Sequence, residues 1–248
     1  MRNNILNTIF ILSCIILVQC NVDYSYYVFE REWGNTVCKS RSCNKKDSLE
    51  YTGKDFNVHG LFANGKQDKQ CWYWVNCEDY TYVESEIDME ILDWMNKYYV
   101  GLYNDSVEFR THEYEKHGSC YNYDKSITTN AQRENFFFGK IKDLANQYDI
   151  VKAMNDYGIY PDDTKKYSEQ DLQNALSVGF NNKGITFSFQ CDQIDGDYYL
   201  NVVDICFDLD YNLMTCPCAA NNCDQPFYIP SYLPFSSSSN NLRKETQE

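Results

Sequence analysis

Ten cysteines, at positions 38, 43, 71, 77, 120, 191, 206, 216, 218 and 223, follow an apolar N-terminal stretch. That stretch opens with Arg2, runs through apolar residues at 9–12 and 15–18, and gives way to polar sequence near Asn21. The pattern predicts a secretory signal over residues 1–20. Interrupted by Ser13, the run is short for a membrane span. Removal of the signal takes Cys14 and Cys20 with it and leaves an even number of thiols. In an exported chain such a set predicts a disulfide framework, although spacing alone does not fix which cysteine joins which. Asn104-Asp105-Ser106 is a lone glycosylation sequon and fits the same route, to the outside or to a lysosome-like compartment.

The remaining chain has room for one large domain. Residues 23–33 alternate, with Tyr27, Phe29 and Trp33 on one face and Glu30 and Glu32 on the other, which predicts a strand. A polar loop stapled by Cys38 and Cys43 follows over 35–52. A second strand spans 55–62, with Phe56 and Val58 on one side and His59 on the other, and 63–66 turns the chain into a further loop over 67–81. Apolar residues at 87, 91, 94, 95 and 98 predict a helix over 84–99. Further helices are predicted over 130–148, with Asn130 as N-cap, over 150–157, and after the capping box that begins at Ser168. Pro161 marks a turn, and strands return at 185–189 and 203–207. Helices and strands mix without strict alternation, so the class is α+β. The expected layout is one domain over 21–230 and a flexible polar tail over 231–248.

The formal net charge is −14. That weighs against a generic nucleic-acid binder with a broad basic face, but leaves room for an enzyme that grips one phosphate locally. Two of the three histidines lie in His112-Glu113-Tyr114-Glu115-Lys116-His117-Gly118-Ser119-Cys120. On a helix, His112, Lys116, Glu113 and His117 fall at about 0°, 40°, 100° and 140°, all within one arc. Gly118 supplies a stop. A zinc-protease helix needs histidines four apart, whereas these are five apart with a lysine beside them, so no metal and no cofactor is expected. Two imidazoles near their ordinary pKa suit proton transfer instead. The third, His59, stands on a separate strand and can supply the opposite side of such a site.

These residues resemble the ribonuclease T2 family. Phe56-Asn57-Val58-His59-Gly60-Leu61-Phe62 is similar to its first active-site segment, and the stretch from His112 to Cys120 to its second. The likeness continues through Tyr157-Gly158-Ile159-Tyr160-Pro161, Ile205-Cys206-Phe207-Asp208 and Thr215-Cys216-Pro217, covering roughly residues 24–230. The resemblance implies a central antiparallel sheet with packed helices. It implies cleavage of single-stranded RNA through a 2′,3′-cyclic phosphate, by a monomer without stable membrane association. It implies His59 as general acid, His117 as general base, His112 as a phosphate ligand, and Glu113 and Lys116 as stabilisers of the transition state. Phe62, Asn64 and Phe109 are implied to hold bases.

The chain departs from that pattern where Phe62 and Ala63 replace the usual Trp-Pro, and where Arg110 replaces a common tryptophan. The implied disulfides are Cys71–Cys120, Cys191–Cys223, Cys206–Cys216 and Cys38–Cys43, which leaves Cys77 and Cys218 over, their pairing open. A second class of function stays open at this point: a secreted binding or signalling protein that keeps the scaffold without turnover.

Overall fold

The computed structural model describes residues 24–41, 43, 51–67, 70–73, 75–121, 123–218 and 221–231. The expected signal, and the tail beyond Ser231, lie outside the described residues. The centre is a sheet built around β1 (Tyr26–Glu32), β2 (Asn57–Gln67) and β6 (Asp197–Phe207). β1 pairs antiparallel with β2 on one side and β6 on the other. β3 (Gln70–Tyr73) extends the sheet beyond β2, and β5 (Ser188–Ile194) and β7 (Leu213–Met214) pair antiparallel with β6. β8 (Phe227–Ile229) runs parallel to β6, the exception to the antiparallel rule, and carries β4 (Asp162–Tyr167) at its outer edge.

One face of the sheet is covered by helices. These include α2 (Met89–Tyr98), α4 (Asn130–Gln147), α5 (Ile150–Asp156) and α6 (Glu169–Gly179), with α4 packing on α2 and α5 on α6. The core between the layers is rich in aromatics, among them Phe29, Phe56, Tyr99, Tyr114, Phe138 and Phe189. β1 presents Tyr27, Phe29 and Arg31 to it, as its alternation predicts. Arg31 is buried because its guanidinium donates to the Phe56 carbonyl at 2.6 Å and lies 3.6 Å from Asp55. Among the described residues no helix is long and apolar enough to cross a membrane.

Several elements differ from the sequence expectation, each for a physical reason. The polar stretch after Trp33 is not all loop, since α1 (Gly34–Ser40) starts there. Its polar side chains turn inward to backbone acceptors: Asn35 to the Gly53 carbonyl at 2.7 Å and Thr36 to that of Leu200 at 2.6 Å. β2 does not turn at 63–66 but runs on to pair with β3. The helix over 84–99 is broken into a 3-10 turn (Glu84–Glu86) and α2, because Ile87 is extended and Asp88 occupies the N-cap position. β4 begins at Asp162, just where Pro161 suggested only a turn. The N-cap of α4 is Thr129, which forms a capping box with Gln132, while Asn130 donates its amide to Thr81.

Disulfides join Cys38 to Cys43, Cys191 to Cys223 and Cys206 to Cys216. Cys120, however, is bonded to Cys77 and not to Cys71. The reason is local: the chain at Asn76 and Cys77 is already hydrogen-bonded to the segment that leads into Cys120, through the Lys116 carbonyl and the Ser119 hydroxyl. That excludes a Cys77–Cys218 pair as well, and Cys218 is itself disulfide-bonded. The Cys71 side chain lies outside the described residues.

Peptide mapping without reduction should recover Cys77 linked to Cys120. Replacing both by serine should lower unfolding stability by about 3–4 kcal/mol, the loop-closure value for a link of this span, read as a shift in the denaturant midpoint.

Candidate active site

Helix α3 (Ser106–Lys116) carries the histidine-rich stretch across the open face of β1 and β2. It starts earlier than expected, at Ser106, because Asp105 caps it by accepting from the backbone of Val107 and Glu108. Arg110 anchors its middle. The guanidinium is buried and fully used, donating to the Tyr99 carbonyl, Glu84 and Asn96 at 2.9–3.1 Å. The departure at this position therefore ties α3 to α2 and to the turn before it. At the far end His117 is the C-cap, and a short 3-10 turn (Gly118–Cys120) brings the helix to its disulfide.

β2 meets this helix at a bulge. Leu61 pairs with Phe29 and Val58 with Arg31, so two residues, His59 and Gly60, stand opposite the single Glu30. Leu61 and Val58 both point to the core, although they are three apart. The extra residue is what lets His59 reach the cleft side together with Gly60. Gly60 is required by proximity, since a Cβ there would lie 2.7 Å from the Phe62 ring and 2.8 Å from the Glu113 carboxylate.

The result is a cleft of about 330 Å³ whose floor is the outward face of the sheet and whose wall is α3. Cross-strand rows make the floor: Gly60, Glu30, Asp204 and Ser188 in one, Phe62, Val28 and Cys206 in the next, Asn64 and Tyr26 in a third. The imidazole of His59 stands on this floor with Nδ1 2.5 Å from Glu30 and 3.4 Å from Glu32. Its Nε2 faces Glu113 at 3.8 Å, and the His112 Nε2 lies 3.9 Å from the same carboxylate oxygen. The Phe62 ring is wedged between the two catalytic candidates, edge-on to His59 at 5.6 Å and to His117 at 4.7 Å. A second recess of about 250 Å³, lined by Tyr103, Asn104, Glu108 and Phe109, opens on the other side of His59 and shares His112 and Glu113.

The structure thus brings His59, His112, Glu113, His117, Phe62 and Asn64 to one cleft, and Phe109 and Asn104 to its neighbour. Lys116, one turn on from His112, is not among the lining residues of either, but its charge acts on both His112 and Glu113. Three acids were missed by the sequence reading: Glu30, Glu32 and Asp204. The signal for the first two was visible as a polar face on an otherwise apolar strand. The signal for Asp204 is a lone acid inside the apolar run 202–207.

The electrostatics follow from this crowding. Burial pulls the His59 pKa down, but the hydrogen bond that its Nδ1–H donates to Glu30 and the charges of Glu32, Glu30 and Glu113 outweigh it and push it up to about 10. Glu113 is raised to about 7, chiefly by burial and against the pull of His59. Asp204 is raised as well, by burial first and by Glu30 second. His112 is lowered by burial and by Lys116. Among the described residues, Glu30, Glu32 and His59, and separately His112, Glu113 and His117, bring their nitrogen and carboxylate oxygen atoms within 4.8 Å of one another.

Comparison with known proteins points one way. The family model described as "Ribonuclease T2 family" matches residues 24–216. Ribonuclease DdI of Dictyostelium discoideum is 26% identical over 79% of this chain and 79% of its own length. Extracellular ribonuclease LE of Solanum lycopersicum is 28% identical over 84% of this chain and 86% of its own. Among solved structures, RNase NT in complex with 5′-AMP superposes with a TM-score of 0.71 at 23% identity, covering 85% of this chain and all of that one, which speaks for the fold. With residues 24–216, well over half of its length, inside that match, the chain belongs to the ribonuclease T2 family.

Proposed function

We propose that the protein is an endoribonuclease that cleaves single-stranded RNA by attack of the 2′-hydroxyl on its own phosphate, releasing a 2′,3′-cyclic phosphate. The observation that carries this reading is the pair of imidazoles that open into one cleft from separate elements, His59 from the sheet and His117 from the end of α3, with the Phe62 ring holding them apart. The nucleophile is part of the substrate, so the protein need only move two protons and stabilise charge.

In this reading His117 takes the 2′-hydroxyl proton while His59 protonates the departing 5′-oxygen. The proton that His59 gives up is the one on Nε2, the nitrogen that faces the cleft, because its Nδ1–H is donated to Glu30. As the phosphorane-like transition state gathers negative charge, His112 in the cleft and the positive charge of Lys116 one turn on stabilise it. Glu113, its pKa raised to about 7, is largely protonated in acid and can donate to a phosphoryl oxygen. Acid also neutralises Asp204 and so makes an otherwise acidic floor more tolerant of a polyanion. The two recesses on either side of His59 match the two nucleosides that flank a scissile phosphate, with Asn64 beside one base and Phe109 beside the other. Phe62 is 6% exposed and packed on both histidines, so it acts as spacer more than as stacking platform. Export after removal of residues 1–20, with the catalytic domain over 21–230, suits such an enzyme. The relatives it resembles include one named extracellular and one named intracellular.

The decisive experiment incubates the purified protein with single-stranded RNA and looks for cyclic phosphate ends. Cleavage with those ends is expected. RNA binding with no cleavage would replace this reading by that of a binding protein on the same scaffold. His59→Ala and His117→Ala should each lower kcat by about 10²–10⁴-fold, with the far-ultraviolet circular dichroism unchanged. Near-normal turnover by either variant would sink the assignment.

The pH–rate profile should be bell-shaped, because one histidine starts protonated and the other neutral. Its alkaline limb should lie above the ordinary histidine range, since His59 keeps its proton to about 10. A profile without an alkaline limb would count against an imidazolium acid.

A further inference from the structure

We infer that Glu30 is a positioning residue for the reaction: its carboxylate holds the Nδ1–H of His59 and so fixes Nε2 as the nitrogen that delivers a proton to the leaving oxygen. This rests on the endoribonuclease reading above and adds to it a partner for the general acid.

The geometry supports the assignment from three sides. Nδ1 of His59 is hydrogen-bonded to Oε1 of Glu30 at 2.5 Å, whereas Glu32 stands back at 3.4 Å. The bulge places the imidazole opposite Glu30 itself, between the paired positions of Gly60 and Val58. On the other flank of β1, Asp204 stands directly across the ladder from Glu30 and is driven toward its neutral form. The charged and titratable groups around His59 are then Glu30 and Glu32 on β1, Glu113 and His112 on α3, and Asp204 on β6, with Lys116 acting through Glu113 and His112. Of these, Glu30 is the one at hydrogen-bond distance from the ring.

The chemistry is a single proton transfer. As the bond between phosphorus and the 5′-oxygen breaks, the Nε2 proton moves to that oxygen and the imidazolium becomes neutral. Nδ1 keeps its hydrogen on Glu30, so the neutral ring stays in the tautomer with a bare Nε2. Without the carboxylate the neutral ring is free to take the other tautomer, and its proton is held less tightly.

The test compares Glu30→Gln, Glu30→Asp and Glu32→Gln with wild type on two dinucleotides. One carries the natural 5′-oxygen leaving group, and the other a bridging 5′-sulfur, which departs without a proton. Glu30→Gln should lower kcat on the oxygen substrate by about 10²–10³-fold with KM little changed. It should cost less than tenfold on the sulfur substrate and move the alkaline limb of the pH–rate profile toward neutral by more than one pH unit. Glu30→Asp should restore part of the activity, and Glu32→Gln should do less harm than Glu30→Gln.

Equal losses on both substrates, or an unmoved alkaline limb, would overturn the role of Glu30. Absence of cleavage by wild type would instead sink the ribonuclease reading. In that case the titration of the His59 ring by nuclear magnetic resonance still decides the pairing. A midpoint that falls in Glu30→Gln supports it, and one that stays put refutes it.

Discussion

Everything at this site depends on how closely α3 approaches β2, and that approach is set by Gly60. A side chain of any size there would push into both Phe62 and the Glu113 carboxylate. With hydrogen in that place, the helix settles onto the strand, Glu113 becomes buried, and its carboxylate comes within 4 Å of both His59 and His112. Burial then raises the Glu113 pKa, and the same low-dielectric pocket strengthens every charge around His59. A steric fact about one glycine is thereby converted into an electrostatic property of the site.

The helix is not held by that contact alone. Asp105 caps one end, Arg110 ties the middle to α2 and its preceding turn, and the Cys77–Cys120 bond closes the other end. These three restraints belong to different classes of interaction, a side-chain cap, a buried cation and a covalent link. Their common effect is that His112, Glu113, Lys116 and His117 form a rigid unit, while His59 belongs to the sheet. The proposed proton transfer needs the two parts at a fixed spacing, and the buried Phe62 ring lies between their imidazoles.

How much of this was legible beforehand varies with the kind of signal. Local periodicity sufficed for β1, for the capping box of α6 and for the apolar stripe of α2, because each is decided within a few residues. The helical arc of His112, Glu113, Lys116 and His117 was likewise readable from spacing. What escaped were features decided by distant partners. The polar run after Trp33 became helix because Gly53 and Leu200 offered carbonyls to its side chains. The Cys77–Cys120 bond followed from hydrogen bonds that tie the loop at Asn76 and Cys77 to Lys116 and Ser119, some forty residues away in the chain. Glu30, Glu32 and Asp204 read as ordinary polar positions until three strands set them side by side beneath an imidazole.

The bulge in β2 has one more consequence. Removing His59 alone would leave Gly60 opposite Glu30 and Val58 opposite Arg31, an unbroken ladder with every core residue still facing inward. On the proposed reading, the general acid therefore sits on the one residue by which β2 exceeds its partner strand at the bulge. Deleting that residue thus separates fold from site: the ladder and the disulfides have no need of it, while the cleft loses the imidazole that faces its acids.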